Sequence, residues 1–156
     1  MRAGNFALLL VVMVALLASG LACRETDDVS SLVNTARDGR SVKVRQEACI
    51  QLAEVPGDVA SDALIGFLAD DELWYCAAHG LGERKEPRAV EPLIERLDPR
   101  SRHAHKFVWA LGEIGDPSAL QALEEMRGKI DATTEEGRRL AKELDEAILK
   151  LRGANS

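Results

Sequence analysis

The sequence predicts an all-α superhelix: a short solenoid of about three helix pairs with capping helices at its ends. The first observation is internal repetition. The segments VRQEACIQLAEVPGDVASDALIGFL from Val44, LWYCAAHGLGERKEPRAVEPLIERL from Leu73 and HAHKFVWALGEIGDPSALQALEEMR from His103 align along their whole length. Leu52, Leu81 and Leu111 correspond, as do Leu64, Leu93 and Leu123, at offsets of 29 and 30 residues. The second observation is that each segment holds two amphipathic stretches around a turn, at Gly57-Asp58, Glu86-Pro87 and Asp116-Pro117. Helix pairs of that period cannot bury their apolar faces alone, so they stack on one another. The third is composition. With 46 % hydrophobic and 29 % charged residues, a chain of 156 residues is globular and has room for one small domain. Its net charge of −6 lacks the basic face that nucleic acid requires. Three cysteines are too few for a disulfide scaffold.

Residues 1–22 read as an address. Arg2 is the sole charge before Arg24, and FALLLVVMVALLASGLA runs from Phe6 to Ala22. A basic start, an apolar core and small residues before a cut site form a secretory signal. The apolar core, Phe6 to Ala18, is short for a membrane span. Plain cleavage after Ala22 and an uncleaved N-terminal anchor also fit these residues. Ser19-Gly20-Leu21-Ala22-Cys23 resembles the lipobox of bacterial lipoproteins, although Gly20 stands where leucine is usual. That resemblance implies a lipidated Cys23 as the first mature residue and membrane attachment through it. Arg24 after the cysteine implies sorting to the outer membrane, facing the periplasm. Residues 23–28 are then a short tether. The mature chain has 19 basic and 26 acidic residues, a net charge of −7.

The repeat domain is expected over residues 29–152. Val29, Leu32, Val33 and Ala36 predict a lone helix at the front, stopped at Asp38-Gly39. In each repeat an A helix closes at Leu52, Leu81 or Leu111. Counting back at 100° per residue, positions −3, −4, −7 and −8 share the packed side. They are Cys49, Ala48, Arg45 and Val44; Ala78, Ala77, Trp74 and Leu73; and Val108, Phe107, Ala104 and His103. The alanines let helices approach closely, Arg45 is placed to bridge to a neighbouring repeat, and Trp74 reads as core filling. Pro87 and Pro117 open the B helices, where the missing N–H costs nothing. Val90, Leu93, Ile94 and Leu97 make one apolar stripe, with Pro92 in the first turns. At the back, Thr133-Thr134-Glu135-Glu136 has capping-box spacing. The last helix runs to about Leu151 behind Leu140, Leu144, Ala147 and Ile148, and Gly153 ends it.

Val44-Arg45-x-Glu47-Ala48 with Leu52, and Ala110-Leu111-Gly112-Glu113-Ile114-Gly115-Asp116-Pro117 with Ala119, resemble the HEAT family. The variant is the short bacterial form called PBS-lyase HEAT-like repeats, and the likeness covers about residues 29–128. It implies a fold and leaves activity open, because such repeats host many functions.

Positions −2 and −6 of the A helices face away from the packed side. They hold Gln46 and Ile50, Tyr75 and His79, and His105 and Trp109. Aromatic and imidazole side chains on a face that should be solvated predict a contact surface for a protein, a lipid headgroup or peptidoglycan. Cover by the terminal helices is the bland alternative. Exposed B-helix positions include Asp62, Glu91, Glu95, Gln121, Glu124 and Glu125, an acidic face suited to a basic segment of a partner. The expected function is a non-catalytic protein-binding scaffold at the bacterial cell envelope. Tyr75, His79, His105 and Trp109 would anchor the partner, and Glu91, Glu95 and Glu124 would guide it. A structural spacer is one alternative. The other is an enzyme, a HEAT-like lyase or metal-dependent modifying enzyme centred on Cys76, His79, His103 and His105. Some HEAT-like oxygenases bind two irons through His-Glu dipeptides on their A helices. The matching positions here read Gln46-Glu47, Tyr75-Cys76 and His105-Lys106, so no metal, cofactor or catalytic residue is expected. Cys49 and Cys76 read as small buried thiols, because their repeat positions turn the side chains about 200° apart. A disulfide in an oxidising compartment stays open.

Overall fold

The structure is a computed structural model that describes residues 28–153. Residues 28–38 form α1, with Val29, Val33 and Ala36 buried. The helices α2 (Val42–Glu54), α3 (Asp58–Phe67), α4 (Trp74–Glu83), α5 (Val90–Ile94), α6 (Ala104–Ile114), α7 (Leu120–Lys129) and α8 (Glu135–Gly153) follow. No strand occurs among the described residues. The A helices α2, α4 and α6 lie side by side, and α8 extends that layer as a fourth member. Each of α3, α5 and α7 packs against the A helix that follows it. The protein is therefore an all-helical solenoid. The repeated leucines are its spine: Leu52, Leu64, Leu81, Leu93, Leu111 and Leu123 are wholly buried.

Small residues set the spacing of the A layer. A Cβ on Gly82 would lie 2.8 Å from the Trp109 ring and 3.1 Å from Ala110 Cα, both on α6. One on Gly112 would lie 3.0 Å from Ala147 Cβ on α8. One on Gly80 would lie 2.5 Å from Ala53 Cβ on α2. Ala53, Gly82 and Gly112 are the same repeat position, immediately after the closing leucine. That position faces the next A helix.

The turns repeat as well. Gly115 caps α6 with φ 76°, and Lys85, its equivalent, takes φ 50°. The Glu86 and Asp116 carboxylates accept the N–H groups of Arg88 and Ser118. Pro87 and Pro117 open short 3-10 turns, Pro87–Ala89 and Pro117–Ala119, which lead into α5 and α7. The second B helix is short, because its end tightens into 3-10 hydrogen bonds from Arg96 to Leu93 and from Leu97 to Ile94. Pro99 follows, and the residue before a proline disfavours helix.

Arginines staple successive repeats. Arg45 donates to the Ala36 carbonyl at 2.9 Å and pairs with Asp70 and Glu72 beyond α3. Arg84 donates to the carbonyls of Leu52, Val55 and Gly57 and to the buried Ser61 hydroxyl. Arg96 reaches the Leu68 carbonyl at 2.7 Å. In each case a guanidinium fork satisfies backbone oxygens left free where the preceding repeat turns.

Four expectations change. Val44 is 45 % exposed, because a single helix rather than a full repeat precedes α2. Trp74 is half-buried and packs at the edge of the core, its ring tilted against His103 and Phe107. Thr134, not Thr133, caps α8; its hydroxyl accepts the Gly137 N–H at 3.0 Å, and glycine in that third position cannot return the second bond of a capping box. Cys49 and Cys76 form a disulfide, with Cα atoms 6.2 Å apart. Side chains that meet across two adjacent parallel helices must leave opposite sides of the repeat wheel. The 200° offset is what lets α2 and α4 be joined.

Candidate functional site

The surface expected from the A helices forms along α4 and α6 and borders α8. Tyr75 is 51 % exposed and His79 is exposed, while His105 and Trp109 are half-buried. Ile50 and Gln46 continue the exposed face on α2. The His79 ring meets Trp109 edge-on, with centroids 5.0 Å apart. Lys106 was not among the residues singled out, and it organises the cluster. Its Nζ lies 4.1 Å from the Trp109 centroid and 4.7 Å from that of Tyr75, a cation held over two ring faces. Its place one turn along α6 from Trp109, and beside Tyr75 of α4, was readable from helical spacing. Tyr75, His105, Lys106 and Trp109 form one wall of a groove whose other wall is Arg139, Glu143, Glu146 and Lys150 of α8. Lys150 pairs with Glu113 and Arg139 with Glu143. The second Glu143 oxygen is buried and has no partner among the described residues.

The expected acidic guides all sit on exposed B-layer positions but differ in charge state of their surroundings. Glu124 pairs with Arg152 at 2.6 Å, so its charge is largely compensated. Glu91 and Glu95 have no ion-pair partner among the described residues. Asp62 is held by Arg88, together with Asp58 and Glu86.

Residues 75–137 match the HEAT repeats family. Those residues are HEAT repeats. No curated protein matches the chain. Its fold is similar to the structure of human deoxyhypusine hydroxylase in complex with glycerol, with a TM-score of 0.69 and 24 % identity. That likeness covers 86 % of this chain and 46 % of the hydroxylase chain, so the protein spans under half the length of that neighbour.

The residues of the enzymatic alternative are dispersed. Cys76 is bonded to Cys49, His79 meets Trp109, and His103 lies tilted against Trp74 with centroids 4.2 Å apart. The His105 Nδ1 is 2.8 Å from the Arg102 carbonyl. No three His, Cys, Asp or Glu side chains converge as metal ligands among the described residues. No helix among them is long and apolar enough to cross a membrane. The signal segment 1–22, the tether and Cys23 lie outside the described residues, save Asp28, which begins α1.

Proposed function

We propose that this protein is a non-catalytic scaffold that binds a partner protein at the bacterial cell envelope. The observation that carries the binding reading is the exposed Tyr75, which lines the groove against α8 with Lys106 and Trp109, and the exposed His79 edge-on to Trp109. Exposed aromatics bordered by charged pairs supply the anchors and rim of a protein interface. Two observations support export. Residues 1–22 have the form of a secretory signal. The Cys49–Cys76 disulfide fits a compartment where thiols stay oxidised. Lipidation of Cys23 would then hold the solenoid near a bilayer.

Crosslinking and pull-down from the producing cell's envelope tests the binding reading. A specific partner should be recovered by the wild type and lost with Tyr75→Ser/His79→Ser, two exposed substitutions that leave the melting temperature within about 2 °C. Equal recovery by the variant removes the anchors from the interface. An intact-mass spectrum of protein purified from membranes tests the address. A diacylglycerol-bearing chain beginning at Cys23 supports it; an unmodified chain beginning at Met1 overturns it.

A further inference from the structure

A second aromatic cleft opens at the N-terminal ends of α4 and α6. Its floor is Trp74, His103 and Phe107. The Trp74 and His103 rings meet at a tilt of 52° with centroids 4.2 Å apart, and the Trp74 and Phe107 rings at 55° and 5.4 Å. Its volume is about 480 Å³, and three carboxylates, Asp71, Glu95 and Asp98, stand around it. Arg96 is the cation in its lining, and its guanidinium is tied back to the Leu68 carbonyl. Asp98 accepts the Arg100 N–H, whereas the Asp71 and Glu95 carboxylates receive no hydrogen bond or ion pair among the described residues. The cleft thus differs from the Tyr75–Trp109 surface, where Lys106 already covers the rings.

We propose that this cleft binds a cationic side chain, foremost an arginine, presented by a basic segment of the partner protein. The proposal rests on the scaffold reading and gives the partner its chemistry. A planar guanidinium stacks on an aromatic face and donates through its edge. Here the half-buried Trp74 ring lines the floor, and the rim offers two carboxylates with free acceptors. The charge balance favours a cation: three acidic groups surround one arginine that is already bonded. Electrostatic attraction from the acidic chain would draw a basic segment toward it.

The test is isothermal titration of the full-length protein with the amidated pentapeptide Gly-Arg-Gly-Arg-Gly at about 0.15 M salt, where long-range attraction is screened. Saturable binding is expected, weakened at least tenfold by Asp71→Asn/Glu95→Gln. The pair Glu47→Gln/Glu54→Gln, which removes the same charge from exposed positions on α2, should change it by less than twofold. All four substitutions are near-isosteric and at the surface, and a melt of each variant confirms that it is folded. Absence of saturable binding overturns the proposal. So does an equal loss with the α2 pair, or equal binding of Gly-Glu-Gly-Glu-Gly. The pull-down read through Tyr75 is independent of this result, so the cleft can fail while the scaffold reading stands.

Discussion

Lys85 and Gly115 occupy one position in successive repeats, and both bend the chain into the left-handed region. Glycine adopts that conformation freely, whereas an L side chain is strained there by about 1–2 kcal/mol. Lys85→Gly should therefore raise stability by about 0.5–1 kcal/mol, and Gly115→Ala should lower it by about 1–2 kcal/mol, read from urea unfolding midpoints. Glu86, one residue on, makes the fold sensitive to acid. Hydrogen bonds from Arg88, then from the Ser61 hydroxyl, hold its carboxyl down at about 2 despite its burial. Its value in the unfolded chain is the ordinary 4.5. A depressed folded value means that the carboxylate stabilises the fold fully above about pH 4.5. That contribution is lost as the pH falls from there toward 2. Asp116, held low by the Ser118 N–H and hydroxyl, and Asp131, held low by Thr133, act in the same direction. The melting temperature should fall steeply below pH 4.5. Glu86→Gln should lower it at pH 7 and flatten the decline, as followed by circular dichroism.

At the scale of the helix, the controlling fact is the distance between neighbouring A helices. Gly82→Ala and Gly112→Ala each push a methyl into the next helix and should cost about 1–3 kcal/mol by overpacking. Gly66 lies within α3 with open space around its Cβ direction. Gly66→Ala should instead add about 0.5–1 kcal/mol through helix propensity. The same chemical change thus has opposite signs, which thermal melts of the three variants will separate. Much of this layer was legible in the sequence. The repeated leucines, the bridging role of Arg45 and the exposed Tyr75/His79 column follow from period and wheel angle alone. What a single-helix wheel omits is the neighbour. It assigns Trp74 to the packed side but does not show that its ring borders an open cleft, which depends on the gap between the starts of α4 and α6. It also misjudged Cys49 and Cys76, because their angle was measured on one wheel rather than across two. Lys106 was overlooked for the related reason that lysine reads as solvated until two ring faces from different helices meet beneath it.

For the whole molecule, the disulfide joins the first two repeats and links cysteines 27 positions apart in the chain. Closing a loop of that length is worth about 3–4 kcal/mol through the entropy of the unfolded chain. Cys49→Ser/Cys76→Ser should lose about that much in chemical denaturation, and reductant should destabilise the wild type by a similar amount while leaving the double variant unaffected. Repeat stability is largely a sum over neighbours. The loss should therefore concentrate in α2–α4, where hydrogen exchange would quicken before it does in α6–α8.

The ring of covalent bonds also limits how far the chain can be drawn out. Pulled by its ends, the oxidised molecule keeps residues 50–75 slack inside the crosslink, which itself spans 6.2 Å between Cα atoms. At roughly 3.3–3.6 Å per extended residue, the fully stretched thread stops about 85–90 Å short of its reduced length. While the crosslink is intact, only the helices outside residues 50–75 can lengthen that thread.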